Sequence, residues 1–449
     1  MIRVITYGTY DLLHHGHVRL LERAKALGDY LIVGVTSDDF DKTRGKINVQ
    51  QSLEERVAAV RATGIADKII IEEYEGQKID DIRRYGIDIF TVGSDWIGYF
   101  DYLNEFCKVV YLPRTEGVSS SEIRTSENGI RLGIVGYSSF LSKFYRESKY
   151  VNGIDIVCLC SSDTSKIEDI TDDIKMVTDN YEQLLENVDA VYIHAHPKLH
   201  YEQCKMALIK KKHVLCESPI AENERQCREL INLAKKQKCI LMAGIRTAYL
   251  TAYSRLLLLL KAGKIGKVVS VDATCTSLST YGNFGVNSLK WGALEAWGPT
   301  ALLPVFQILG TDIKSLHSYS LPSNEYPEID GFTKIDFQFD NAVASIQVGM
   351  SIKSESDLVV SGSKGYAYVP APWWKTDYFE LRYENSSDNK RYFYQVDGEG
   401  IRYELVQFAS AIRDGKADFY IDNRITETIS YVMEKVLANQ SNRGNNSEY

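Results

Sequence analysis

Strand-like and helix-like segments alternate along the first third of this chain, and then the alternation starts again. Apolar runs at 3–7, 30–36, 68–71, 87–92 and 108–112 are separated by helical patterns, one of them over 53–62. Such alternation predicts a parallel sheet with helices on both faces, and in such sheets ligands bind beyond the carboxyl ends of the strands. After a polar stretch at 125–129 the pattern recurs, with strands at 130–135, 154–160, 190–194, 214–215 and 240–243 and a helix beginning over 142–147. The last part changes character. Strands at 267–277, 332–339, 342–351, 357–361 and 366–369, with helices at 297–309, 403–414 and 424–440, predict an open, mostly antiparallel sheet covered on one face. With 449 residues, the chain is too long for one ordinary core. The expected class is α/β: a nucleotide-binding-type Rossmann-like sheet over 1–128, a second Rossmann-like domain over 129–247, an α+β sheet domain over 248–440, and a mobile tail over 441–449.

The most specific chemistry sits where the first strand gives way to a helix. There the chain reads His14-His15-Gly16-His17. A helix start offers free N–H groups and the positive end of the dipole, which suit a phosphate chain. His14 and His17 fall one turn apart on one face, and Gly16 removes a side chain from the approach.

Other pieces follow the remaining strands of this first unit and converge on the same rim. Thr9, Tyr10 and Asp11 follow strand one, and Arg44 and Lys46 follow strand two. Asp95 and Trp96 follow strand four, and Arg114, Thr115, Gly117, Ser119, Ser120 and Ser121 follow strand five. Taken singly, Arg44 and Lys46 are solvated loop charges, Asp95-Trp96 is a turn with a core indole, and Arg114-Thr115 is a helix cap. Taken together with the histidine spacing, they predict nucleotidyl transfer. An incoming phosphate attacks the α-phosphorus of a nucleoside triphosphate and pyrophosphate leaves. The nucleophile is already an anion, so catalysis is positioning plus electrostatic stabilisation. His14 and His17 are the expected donors to the α-phosphate, with Lys46 and Arg114 neutralising the growing charge. Thr115, Ser119 and Ser120 are expected on the β- and γ-phosphates. Mg²⁺ is expected on the triphosphate, liganded mostly by phosphate and water, with no dedicated protein metal site.

From Ile2 to about Arg124 the sequence resembles the glycerol-3-phosphate cytidylyltransferases. The resemblance rests on Val4-Ile5-Thr6-Tyr7-Gly8-Thr9-Tyr10-Asp11-Leu12-Leu13-His14, on Gly16-His17, on Leu20-Leu21-Glu22-Arg23-Ala24-Lys25, and on Val110-Tyr111-Leu112-Pro113-Arg114-Thr115-Glu116-Gly117. It implies CTP as donor and a small polyol phosphate as acceptor. It also implies nucleotide contacts at Thr9, Tyr10, His14, Gly16, His17, Lys46, Asp95 and the segment from Arg114 to Ser121. Asp11, Arg44, Arg56 and Lys78 fall on the acceptor side. Arg44 stands where the family usually has Lys, and Gly64 stands near the place of a second family Arg.

The rest of the chain resembles the Gfo/Idh/MocA oxidoreductases, which use NAD or NADP on sugars and polyols. The match rests on Gly133-Ile134-Val135-Gly136, His196-Pro197-Lys198-Leu199-His200, Glu217-Ser218-Pro219, Gly292-Ala293-Leu294 and Gly298. It implies dinucleotide contacts at Gly133, Gly136, Ser138, Ser161, His196 and Glu217. Several chemical positions depart from the pattern. Ser138 and Leu141 replace glycines of the phosphate loop, and Leu141 is expected to crowd strand–helix packing. Ser218 replaces the catalytic Lys, and Ala296 and Thr300 stand where the family has Asp and His. The region is therefore expected to act mainly as a scaffold or binding module. The alternative is an active reductase with relocated groups such as Tyr249, Tyr281 or Lys290, making the polyol phosphate that the first unit activates. Clusters such as Trp373-Trp374 and Tyr378-Phe379 suit a buried sheet face or an interface.

The net charge of −8 argues against general nucleic-acid binding. The eight cysteines include no Cys-x-x-Cys pair, which argues for buried thiols rather than metal ligands or disulfides. No signal peptide is recognisable, and the apolar run 256–260 is too short to span a bilayer. A cytoplasmic homodimer is expected, and the CDP-polyol would suit cell-surface polymer building.

Overall fold

A computed structural model describes residues 1–38, 49, 51–74, 76–98, 100–113, 129–151, 153–278, 291–394, 396, 398–417 and 419–444, without the side chains of Asp95 and of 441–444. The chain divides into two compact units, Met1–Gly129 and Ile130–Tyr449.

The first unit is a five-stranded sheet in the order β3-β2-β1-β4-β5, parallel throughout. Its strands are β1 Arg3–Gly8, β2 Tyr30–Thr36, β3 Lys68–Glu72, β4 Ile89–Gly93 and β5 Lys108–Leu112. The helices are α1 His15–Lys25, α2 Leu53–Ala62 and α3 Gln77–Tyr85. Successive side chains of β1 feed opposite faces. Val4 joins Leu21, Ala24, Leu31, Val33 and Val60 under α1 and α2, whereas Ile5 joins Ile32, Ile82, Phe90 and Leu103 on the other side. Strand order reverses about β1, and α1 starts beside that point. α2 begins at a capping box: Ser52 Oγ accepts from Glu55 N at 3.3 Å, and Glu55 Oε2 accepts from Ser52 N at 2.7 Å.

Gly34 on β2 pairs with Tyr7 on β1, and a Cβ there would lie 2.2 Å from Tyr7 Cδ1. The bare backbone is what lets the Tyr7 ring lie across β2. Gly34→Ala is expected to destabilise the first unit by about 1–3 kcal/mol through overpacking, read by denaturant unfolding. A neutral effect would show that the ring relocates freely.

The second unit opens with a six-stranded parallel sheet in the order β11-β10-β9-β6-β7-β8. It comprises β6 Ile130–Gly136, β7 Ile154–Cys160, β8 Met176–Thr178, β9 Ala190–His194, β10 His213–Glu217 and β11 Leu241–Gly244. Its helices are α4 Phe140–Ser148, α5 Glu168–Thr171, α6 Tyr181–Asn187, α7 Pro197–Ile209 and α8 Glu224–Gln237. α9 Thr251–Lys261 then leads to an eight-stranded sheet ordered β13-β14-β15-β12-β16-β17-β18-β19. Its strands are β12 Val268–Ser277, β13 Ser315–Pro322, β14 Asp330–Gln338, β15 Val343–Met350, β16 Leu358–Gly362, β17 Tyr366–Val369, β18 Tyr378–Arg382 and β19 Lys390–Phe393. All neighbours are antiparallel except β12 and β15.

One face of this sheet lies against α10 Ala293–Leu309, which also packs on α12 Asn423–Gly444; α11 Ile401–Asp414 lies between them in sequence. Trp373 is buried and its Nε1 donates to Thr274 O at 3.0 Å, and Phe379 is buried as well. The sequence reading stops the last helix at 440, but α12 runs to Gly444. Helix propagation needs only backbone bonds once a helix is nucleated, so a polar stretch carries it on. Among the described residues no helix is long and apolar enough to cross a membrane.

Candidate active site of the first unit

The turn after β1 is built by backbone that side chains rarely adopt. Tyr10 has φ 54° and Leu12 has φ 47°. Such residues persist only where their surroundings over-determine them. Here the Tyr10 ring is buried and lies against Gly8, where a Cβ would come within 2.9 Å of it. Asp11 Oδ1 accepts from Gln51 N at 3.0 Å, and Leu12 N donates to Gln51 Oε1 at 2.8 Å.

That turn delivers the imidazoles. His14 is the N-cap of α1, and its Nδ1 accepts from Gly16 N at 3.0 Å. With Nδ1 accepting, Nε2 of the neutral ring is the N–H donor. The rings of His14 and His17 stack with centroids 4.0 Å apart, and Tyr10 meets His17 edge-on at 5.7 Å. His15 points elsewhere, accepting from Arg19 Nε at 3.1 Å. Arg23 on α1 donates to Pro113 O at 2.6 Å, which holds the end of β5 beside the same helix.

Arg56 lies inside the unit. It is fully buried on α2 and donates from all three of its nitrogens to the protein. Nε donates to Gln51 O at 3.1 Å, Nη1 donates to Thr9 O at 2.7 Å and to Thr36 O at 2.8 Å, and Nη2 pairs with Asp38. It braces the segments that follow β1 and β2. Lys78 on α3 is also buried. Its ammonium pairs with the buried Glu72 carboxylate and sits 4.7 Å over the Tyr7 ring and 5.5 Å from that of Phe100. Glu72 also accepts from Thr36 Oγ1 at 2.9 Å. Tyr7 donates to Asp81 at 2.9 Å; burial, then the Asp81 charge, push its phenol far above the usual range. Sequence reasoning named Lys78 but missed Glu72, because six residues across a strand–helix junction form no recognisable pair.

Thus Thr9, Tyr10, Asp11, His14, Gly16, His17, Arg56 and Lys78 gather at the carboxyl edge of one sheet. Arg44, Lys46, Arg114, Thr115, Gly117, Ser119, Ser120, Ser121 and the Asp95 side chain lie outside the described residues, as do Tyr281 and Lys290 of the second unit.

Residues 5–126 match the cytidylyltransferase-like family model. The glycerol-3-phosphate cytidylyltransferase of Bacillus spizizenii is 48% identical over 124 residues, covering 28% of this chain and 95% of that protein. That of Bacillus subtilis is 47% identical over 130 residues, covering 29% of this chain and all of that protein. Through its first unit, the chain belongs to the glycerol-3-phosphate cytidylyltransferase family. The cytidylyltransferase unit is fused to a second known fold. Residues 130–245 match the oxidoreductase family with an NAD-binding Rossmann fold. A 3-ketoreductase from Actinomadura kijaniata in complex with NADP superposes with TM-score 0.60 at 18% identity, covering 69% of this chain and 97% of that one. An oxidoreductase from Agrobacterium radiobacter in complex with NAD⁺, L-tartaric acid and magnesium gives 0.60 at 17%, covering 70% and 97%. What these two structures share with this unit is the fold.

The residues of that unit fit a dinucleotide at its pyrophosphate end. Gly136 has φ 144°, and a Cβ there would lie 2.3 Å from His194 O, so only glycine turns the chain at this point. Among the described residues, the first turn of α4 has no side-chain cap beyond Ser138 Oγ, which accepts from Phe140 N at 3.2 Å. Leu141, expected to crowd the packing, is instead accommodated: it is fully buried, 3.4 Å from where a Gly136 Cβ would be. Gly133 faces Leu184, which would stand 2.8 Å from an added Cβ. Ser161 turns into its own loop, donating to Asp163 O at 2.7 Å. His196 caps α7 through Nδ1, and Glu217 accepts from Tyr192 at 2.6 Å. Burial, then the charge of Arg246, push the neighbouring His194 down to about 3. His200 lies between Pro219 O at 2.7 Å and Ala195 O at 2.9 Å, tying together the turns after β9 and β10.

Proposed function

We propose that the first unit transfers CMP from CTP to a small polyol phosphate, sn-glycerol 3-phosphate being the leading candidate, and releases pyrophosphate. A phosphate oxygen of the acceptor forms the new bond to the α-phosphorus. The bond from that phosphorus to the bridging oxygen breaks, and its electron pair leaves with pyrophosphate. The carrying observation is the stacked pair of His14 and His17 at an α-helix start, within a domain 48% identical to a relative of that activity. In this reading their N–H groups meet the charge that gathers in the transition state. Lys46 and Arg114 add cationic charge, and Thr115, Gly117, Ser119, Ser120 and Ser121 with Asp95 complete the nucleotide side, on the strength of the family resemblance. Asp11, Arg44 and Lys78 serve the acceptor, while Arg56 holds the turn that positions the imidazoles. Mg²⁺ accompanies the triphosphate. Pyrophosphate release with CTP, Mg²⁺ and a panel of C3 to C5 polyol phosphates tests this; inactivity across the panel would refute it.

For the second unit the fold shared with NADP- and NAD⁺-bound reductases favours dinucleotide-dependent reduction of a carbonyl precursor. When bound, the dinucleotide supplies the hydride. Gly136, Ser138 and the α4 start would hold its pyrophosphate, with Ser161 on the adenosine side and His196 and Glu217 on the nicotinamide side, whereas Gly133 packs against Leu184 inside the unit. Ser218 cannot replace a lysine as proton donor. Tyr249 can hold a proton: its hydroxyl is buried, with no hydrogen-bond partner among the described residues, and burial raises its pKa well above the usual value. NADPH fluorescence on binding, followed by oxidation with keto-sugar phosphates, tests the reading. A chain that binds neither dinucleotide would return the unit to the scaffold role.

A further inference from the structure

In the second unit a cavity of about 780 Å³ opens beside the amino terminus of α10, lined by Pro197, Lys198 and Pro219 but by none of the residues assigned above to the dinucleotide. Its size is that of a small-molecule site. Its walls come from the turns after β9 and β10, the start of α10, the edge strand β13, the chain entering β14 and the end of α12. Glu222, Glu295, Glu328 and Asp330 line it, against one cation, Lys198. Four carboxyls and one ammonium leave a formal imbalance of three negative charges (4 − 1 = 3).

The polar wall is built rather than incidental. Gln440 Nε2 donates to Ser320 Oγ at 2.9 Å, Thr333 Oγ1 lies 2.9 Å from the same Ser320 Oγ, and Thr333 Oγ1 donates to Asp330 Oδ2 at 2.6 Å. Asp330 Oδ2 also accepts from Leu294 N at 3.0 Å, so this carboxylate caps α10 from another strand. Its second oxygen, Oδ1, is buried with no hydrogen-bond partner among the described residues. Gly292 makes room for that oxygen: a Cβ there would fall 1.9 Å from it. Glu295 Oε2 accepts from Gly292 N at 3.1 Å. Burial raises the pKa of both Glu295 and Asp330, which a bound cation would reverse. Leu321, Ile329, Met433 and Leu437 supply apolar surface between the polar groups.

We infer that this cavity binds a small polyhydroxylated amine, such as an amino sugar or amino polyol, and rejects phosphorylated ligands. The carboxylates take the ammonium and the hydroxyls, Ser320, Gln440 and Asn439 offer further hydrogen bonds, and the apolar patches take the carbon skeleton. A divalent ion is the weaker fit, because among the described residues no three such side chains come close enough to hold a metal. A phosphate would meet like charge, a repulsive element against the very ligands the first unit uses.

Calorimetry on the full chain with glucamine, sorbitol and sorbitol 6-phosphate tests this. Glucamine is expected to bind at least ~10-fold more tightly than sorbitol, with no measurable phosphate binding. Glu222→Gln together with Glu328→Gln, two exposed substitutions, is expected to remove that preference while leaving the unfolding profile unchanged. Glu295→Gln should weaken glucamine in the same direction. Equal or tighter binding of sorbitol 6-phosphate, or no binding by any of the three, would overturn the inference.

Discussion

Replacing His17 by alanine is expected to lower CMP transfer by about 10²–10³-fold, with thermal unfolding of the chain unchanged. The side chain sits on the third residue of α1 and stacks on His14 at 4.0 Å. It belongs to neither core cluster of the first unit, so its loss removes a donor and leaves those clusters intact. The effect should fall on turnover more than on CTP affinity, because the charge the donor meets grows as pyrophosphate departs. His14→Ala should act in the same direction and also cost some helix stability, since His14 Nδ1 caps Gly16 N. His15→Ala is the internal control: that ring faces Arg19, and activity should stay near wild type. Loss of activity in the His15 variant equal to that at His17 would contradict the assignment of the donor face.

Arg56→Ala is expected to be the most disruptive single substitution in the first unit, costing about 3–5 kcal/mol, or on the order of 10–20 °C in unfolding midpoint. It would strand the carbonyls of Thr9, Thr36 and Gln51 and leave Asp38 without its partner. A buried acceptor left without a donor costs its full desolvation. Arg56→Lys is expected to recover little, because one ammonium cannot reach acceptors spread around a planar fork. The lysine variant, if folded at low temperature, should show low turnover with CTP affinity less affected, since the strained turn would no longer be pinned. Wild-type stability in Arg56→Ala, measured by denaturant titration, would remove the brace from the account.

The fold was legible where local pattern and tertiary structure agree. Strands at 30–36 and 108–112 and the helix at 53–62 coincide with β2, β5 and α2; in β2 the apolar run is also the buried one, whereas α2 buries Arg56 beside Val60. The antiparallel sheet was harder. β13 and β19 escaped notice because outer strands carry polar and charged side chains, as in Lys390–Phe393; β18 was missed as well, although its burial alternates. α9 was read only as a short leucine run, yet Leu256, Leu259 and Leu260 are buried while Leu258 is mostly exposed. In the site, the histidine pair was visible because a helix start is a local device. The roles of Arg56 and Glu72 were not, because each depends on partners 18 to 47 residues away or across a strand–helix junction. Leu141 reversed its expectation: a rule about small residues in a phosphate loop says nothing of the buried space the surrounding side chains leave for a larger one.

The arginine brace also bears on how such a domain tolerates change. Among the described residues it donates to three main-chain oxygens, which every residue type carries. Saturation mutagenesis of the first unit should therefore yield an asymmetric map, with intolerance concentrated on one guanidinium while the positions lending it their carbonyls accept wide variation on that account. Lineages diverging from such an ancestor could rewrite the rim, and with it their choice of acceptor, without renegotiating the scaffold beneath.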